Sequence, residues 1–205
     1  MTLALIAGRG SLPARVAAAQ QEPPLVCVYE GCDPDGLKPD LTFRLETLGS
    51  LLAHLTAAGI REVCLCGAID RPQLDPARLD ARTAPLVPQF QAALSAGDNG
   101  ALEIIKQIFE GHGMKVLGAD ALVPDLLADS GVLSAERPDD AMRCDAARGE
   151  AVLAALSSLD IGQACVIGRE QVWGVETIGG TDHLLSTLPE GARAAPPAGS
   201  KAGDR

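Results

Sequence analysis

With 205 residues and 47% hydrophobic side chains, the chain can bury a core as one large domain or two small ones, which excludes a disordered protein. A formal charge of -10 without any cluster of Lys and Arg excludes a broad nucleic-acid surface, so no nucleic-acid partner is expected. No run approaches the roughly 18 apolar residues of a membrane span, and Met1 to Ala7 lacks the basic flank of a signal peptide, so a cytoplasmic chain is expected.

In chain order, LALIA (3–7) is an apolar run of strand length, and Pro13 opens a helix-forming stretch over 14–21. PLVCVYE (24–30) reads as a second strand closed by the turn DPDG (33–36). Leu48, Leu51, Leu52 and Leu55 recur at i, i+3, i+4 and i+7, one apolar helical stripe that Gly59 ends. EVCLCGA (62–68) is a third buried strand. Residues 85–110 read as two helices split by SAGDNG (95–100), the second with Ile104, Ile105 and Ile108 on one face, and MKVLGAD (114–120) adds a further strand. Near-continuous apolar strands alternating with helices predict an α/β unit, a Rossmann-like parallel sheet covered on both faces, over 1–130.

The chain then changes character. Pro138 is expected at a helix start with Asp139 and Asp140 in its first turn, where carboxylates favour the positive end of the dipole. QACVIGREQVWGVETI (163–178) is two β-rich runs around Gly168 to Gln171, a hairpin signal, and TDHLL (181–185) begins a helix for Thr181 or Asp182 to cap. A smaller α+β domain over 136–188 follows, and the Pro-, Gly- and Ala-rich stretch 189–205 is expected to be a disordered tail.

Six cysteines make no C-x-x-C pair. Cys64 and Cys66 point to one face of their strand, which favours buried thiols over a metal or disulfide. His54, His112 and His183 lack metal-helix spacing. AGRGSLP carries G-x-G without the third glycine of a dinucleotide fingerprint, since Pro13 stands there, which disfavours a nicotinamide-dependent dehydrogenase. Gly8 and Gly10 still permit close backbone approach to a ligand, and Pro13 leaves the preceding amides to face an anion; an ordinary tight turn fits equally well. GAIDRP (67–72) leaves the third strand where open α/β sheets bind ligands, with Asp70 suited to a metal and Arg71 to a phosphate, although an Asp-Arg pair in a loop is often only a surface ion pair. Asp98 and Asn99 in AGDNGAL precede a helix, which capping alone explains. DIGQA (160–164) and GGTDHLL (179–185) combine glycines with short polar residues beside strand ends, a chemistry that binding loops use.

LIAGRGSLP, LCGAIDRP, AGDNGAL, LDIGQACVIGREQVWGVET and GGTDHLL, in this order over residues 1 to about 189, resemble the UDP-2,3-diacylglucosamine pyrophosphatase family of the LpxI type. The resemblance implies a Rossmann-like N-terminal domain and a separate C-terminal domain with a lipid-linked UDP-sugar held between them. It implies Mg²⁺-dependent attack of water on the diphosphate, giving UMP and 2,3-diacylglucosamine 1-phosphate in lipid A synthesis, at peripheral contact with the inner membrane surface; a homodimer is left open. Carried over, it makes Gly10 and Ser11 phosphate or sugar contacts, lines the site with Ile69, Asp70 and Arg71, and adds Asp98, Asn99, Gln163, Thr181 and Asp182. No metal ligand is assigned. The family's catalytic aspartate is expected in a segment, past a Lys-x-x-Lys-Pro, that ARAAPPAGSKAGDR does not reproduce. The C-terminal domain is therefore expected to be incomplete, and a catalytically silent member that only binds the sugar nucleotide is the alternative.

Overall fold

A computed structural model describes residues 2–69, 74–95, 98–159 and 161–190, with the backbone alone at 94, 95, 98 and 99. The chain divides into two compact units, Met1–Ala128 and Asp129–Arg205.

The first unit is built on a five-stranded, all-parallel sheet. Its strands are β1 (Leu3–Ala7), β2 (Leu25–Tyr29), β3 (Leu41–Phe43), β4 (Glu62–Cys66) and β5 (Lys115–Leu117), in the order β3-β2-β1-β4-β5. The helices are α1 (Leu12–Ala18), α2 (Leu48–Ala57), α3 (Val87–Ser95), α4 (Asp98–Gly111) and the single turn α5 (Ala119–Leu122). All five residues of β1 are buried because each face of the sheet has its own core. Leu3 and Leu5 pack with Cys64, Cys66, Val16 and Val123, while Ala4 and Ile6 face the opposite way onto Leu48, Leu52, Phe90 and Phe109. The unbroken apolar character of LALIA and VCLC is thus the signature of a sheet covered on both sides.

The four leucines of the α2 stripe are all buried in the larger core. Each contributes about 1.5–3 kcal/mol by leaving water. Gly59 ends the helix at φ +75°, in the left-handed region glycine enters without strain. On α4, Ile108 is buried and Ile104 and Ile105 pack partly against the same core, as their spacing predicts. The edge strand β3 was not legible in the sequence: it has three residues, of which only Phe43 is buried, too few to show a period of two.

The second unit is thin. Its elements are α6 (Asp140–Ser157), the antiparallel strands β6 (Cys165–Gly168) and β7 (Gln171–Val175), and α7 (Gly180–Thr187). The expected start of α6 shifts by one role: Pro138 lies outside, and Asp139 is the cap, accepting from the Met142 N–H at 2.8 Å. A β-carbon on Gly149 would stand 3.4 Å from Ile167 and 3.5 Å from Cys165, so α6 meets β6 at its glycine. Arg169 and Glu170 form the hairpin turn with φ 53° and 58°. Their amides donate to the Asp145 carboxylate at 3.1 and 2.6 Å, which holds a turn that lacks the usual glycine. Leu184, the one buried apolar side chain among the described residues of this unit, lies over Gly174. Of the expected tail, residues 191–205 lie outside the described residues.

Candidate functional site

Reading out from the sheet centre, the strand order reverses between β1 and β4, since β2 and β3 lie to one side and β4 and β5 to the other. Ligands of open parallel sheets bind outside the carboxyl ends of strands at such a point. The residues there are Gly8 to Ser11 after β1 and Gly67 to Ile69 after β4. The Gly8 N–H donates to the Cys66 carbonyl at 2.8 Å, the Arg9 N–H to the Ala68 carbonyl at 2.8 Å, and the Ala68 N–H to the Arg9 carbonyl at 3.0 Å. A third loop joins from β2, where the Asp35 N–H donates to the Gly10 carbonyl at 3.2 Å.

This stapling corrects the reading of Gly8. A β-carbon there would lie 2.5 Å from the Ala68 carbonyl oxygen, so the bare α-carbon accommodates the chain's own backbone and not a ligand. Gly67, at φ +89°, answers it from the other loop. Gly10 is different: at φ +93° it has nothing within 4 Å of where a side chain would begin. Ser11 stands at the N-cap of α1 with no side-chain cap bond and is exposed, so its hydroxyl is not spent on the helix. Ile69 is 41% exposed, an apolar side chain at the rim of the same edge. Asp70 and Arg71 lie outside the described residues. Asp98 and Asn99 are the first two residues of α4, inside the helix and not ahead of it; their side chains lie outside the described residues.

Downstream, the backbone at Asp75 and Asp80 is anchored by Glu46, a fully buried carboxylate. It accepts from the Asp75 N–H at 2.7 Å and from Arg44 Nε at 3.2 Å, while its own carbonyl accepts from the Asp80 N–H at 3.1 Å. Burial pushes its pKa up, but the Asp75 amide and the Arg44 guanidinium outweigh that and leave it below the usual carboxylate range. Thr83, also buried, accepts the Gly49 N–H at 2.8 Å and completes the anchor on α2. Sequence reasoning missed Glu46, because a carboxylate in RLETLGSLL reads as a solvated helix start.

Thiol chemistry finds little support. Burial raises Cys27 to about 12, and Cys66 is raised by its hydrogen bond to Cys64 and by burial, which keeps both thiols protonated. All six cysteines are free. Among the described residues no three His, Cys, Asp or Glu side chains gather as a group that could hold a metal.

In the second unit, two of the expected stretches come together on a residue that was not singled out. Glu176 follows β7, and its carboxylate accepts from the Gln163 N–H at 2.8 Å and from the Thr181 hydroxyl at 2.7 Å. Thr181 is therefore not the cap of α7; Gly179 holds that position without a side-chain bond, and neither Thr181 nor Asp182 caps the helix. Both side chains are exposed, as is Gln163. The hydrogen bond from Thr181, then that from Gln163, hold Glu176 below its ordinary pKa. The sequence signal was present in VETIGGTDH: an acidic residue five before a threonine, across two glycines.

Comparison with known proteins places both units. Residues 2–126 match the model of the LpxI N-terminal domain, and residues 129–199 match that of the LpxI C-terminal domain. Over 199 residues the chain is 29% identical to the UDP-2,3-diacylglucosamine pyrophosphatase LpxI of Caulobacter vibrioides, covering 93% of this chain and 71% of that protein.

Proposed function

The chain belongs to the LpxI family, and on that premise we propose that it hydrolyses the diphosphate of UDP-2,3-diacylglucosamine to UMP and 2,3-diacylglucosamine 1-phosphate, a step of lipid A synthesis. The observation that carries this reading is the match of both family domains, in order, over nearly the whole chain. The carboxyl edge of the sheet supports it with an uncrowded Gly10, an exposed Ser11 and the apolar rim of Ile69. On this reading Asp70, Arg71, Asp98, Asn99, Gln163, Thr181 and Asp182 contact the substrate.

A requirement for Mg²⁺ is part of the proposal. Its support is electrostatic: a diphosphate concentrates negative charge, and this chain carries -10 of its own. Because the described side chains form no metal site, no chemical step is assigned to the ion. Peripheral contact with the inner membrane surface is also part of the proposal, supported by the acyl chains of the substrate; no helix among the described residues is long and apolar enough to cross a membrane.

The test is release of labelled UMP from UDP-2,3-diacylglucosamine dispersed in detergent, with Mg²⁺ and with excess EDTA. Turnover with Mg²⁺ that EDTA abolishes supports both halves of the proposal. Turnover that survives EDTA removes the metal half, and binding of substrate without any UMP supports the silent, binding-only alternative.

A further inference from the structure

Glu176 is placed more firmly than an exposed strand end requires. Its own N–H donates to the Ala164 carbonyl at 2.8 Å, extending the hairpin ladder by one residue. Gly162, at φ +117°, has no room for a β-carbon because the Glu176 carbonyl lies against it. With the backbone held on both sides, each carboxylate oxygen takes one partner: Oε2 the Gln163 N–H and Oε1 the Thr181 hydroxyl.

An ionised carboxylate only accepts, so the proton of the Thr181 hydroxyl must point at Glu176. What the hydroxyl turns outward is then its lone pairs. A phosphate oxygen is also an acceptor and carries charge of the same sign as Glu176 and the adjacent, exposed Asp182. Both facts argue against a phosphate at Thr181 and for a group that brings its own proton.

We propose that Glu176 is a positioning residue that fixes the polarity of Thr181, so that this hydroxyl reads a hydrogen-bond donor on a nucleotide sugar, a sugar hydroxyl or an amide N–H, and not a phosphate oxygen. The inference rests on the family reading of the substrate given above. The depressed pKa of Glu176 agrees with it, since the donor role of Thr181 requires the ionised form.

Two variants separate positioning from mere structure. Glu176→Ala removes both acceptors. Glu176→Gln keeps a carbonyl for the Gln163 N–H but presents an NH₂ to Thr181, which reverses the hydroxyl so that its proton faces outward. Amide exchange on the full chain should show the Gln163 N–H exchanging at least about tenfold faster in Glu176→Ala and little changed in Glu176→Gln. Affinity is then measured by calorimetry for UDP-N-acetylglucosamine, which offers hydroxyl and amide donors, and for inorganic pyrophosphate, which at pH 8 offers acceptor oxygens with at most one P–OH among them. Both Glu176→Gln and Thr181→Val should lose about tenfold for the sugar nucleotide, the worth of one good hydrogen bond, without weakening pyrophosphate; Thr181→Ser should restore wild-type binding.

Unchanged Gln163 exchange in Glu176→Ala overturns the positioning role. Equal loss for both probes, or loss for neither, overturns the polarity. A wild-type chain that binds neither probe, or intact wild-type binding with an unchanged ratio in the variants, overturns this reading, whereas the proposed function falls only if no UMP is released from UDP-2,3-diacylglucosamine.

Discussion

The two units hold their candidate residues by opposite means. In the first, main-chain bonds between loops set the site: Gly8, Arg9 and Ala68 staple the switch point, and two packed cores stand behind the sheet. In the second, one carboxylate gathers the site, over a hairpin and two helices with a single buried apolar side chain among those described. Val132, Leu133, Leu159 and Ile178 there are all more exposed than buried or nearly so. The lesson is one of tolerance. A backbone-built site fails when bulk is added or the core is hollowed, whereas a side-chain-built site fails when one hydrogen-bonding group changes.

The largest effect that sharpens this contrast is in the core. Phe90 is 1% exposed at the centre of the larger cluster, and Phe90→Ala should cost about 3–5 kcal/mol through lost burial and the cavity left behind. Leu184→Ala, at 6% exposed in the thin unit, should cost about 2 kcal/mol, the low end for such a truncation, because few neighbours surround the void. Chemical denaturation measures the sums, and native-state exchange of β4 against β7 amides assigns them. Equal losses would break the distinction between the units.

Next is the staple. Gly8→Ala puts a methyl 2.5 Å from the Ala68 oxygen, a clash only backbone movement relieves, and should cost about 1–3 kcal/mol. Gly10→Ala meets no atom within 4 Å and should cost only the strain of φ +93°, about 1 kcal/mol. Thermal unfolding of the pair tests whether Gly8 serves the chain itself; if Gly8→Ala is the milder change, the staple is not what holds this edge.

Much of the frame was legible because its signals are periodic. The runs at 3–7 and 62–66 and the leucine stripe of α2 announce themselves by apolar spacing, and the parallel order follows from strands alternating with helices. The residues that tie the sites together were not, since each acts through a contact far away in sequence. Glu46 meets Asp75 across 29 residues and Glu176 meets Gln163 across 13. A lone carboxylate carries no periodicity, and nothing local says that Glu46 is buried or that Glu176, besides the nearby Thr181, also holds Gln163. Gly8 shows the converse: its signal was read, but the backbone it makes room for is Ala68, 60 residues on, and not a ligand.

Glu46 offers a third test, smaller than the first two. Glu46→Gln keeps the shape but loses the charge facing Arg44, which should cost about 1–2 kcal/mol at pH 7. Its folded pKa lies below 4.5, so its contribution is fully present above pH 4.5 and disappears as pH falls through the folded value. The gap between wild type and Glu46→Gln in denaturation midpoint should therefore be widest near neutrality and narrow as the pH falls below 4.5. A gap independent of pH would mean that shape, and not charge, anchors the loop.

The smallest effect has the opposite sign and belongs to the thin unit. Arg169 and Glu170 sit at φ 53° and 58°, where a β-carbon costs about 1–2 kcal/mol. Asp145 offsets this by accepting both of their amides, and those bonds do not involve either side chain. Glu170→Gly should therefore remove strain while keeping the bond at 2.6 Å, and glycine's greater freedom when unfolded should reduce the gain to about 0.5 kcal/mol. In an Asp145→Ala background, where the turn has lost its acceptor, the same change should gain no less. Denaturation of the two single variants and the double variant measures the coupling. If Glu170→Gly destabilises instead, the Glu170 side chain makes a contribution of its own, and the hairpin depends on more than the Asp145 carboxylate that closes it.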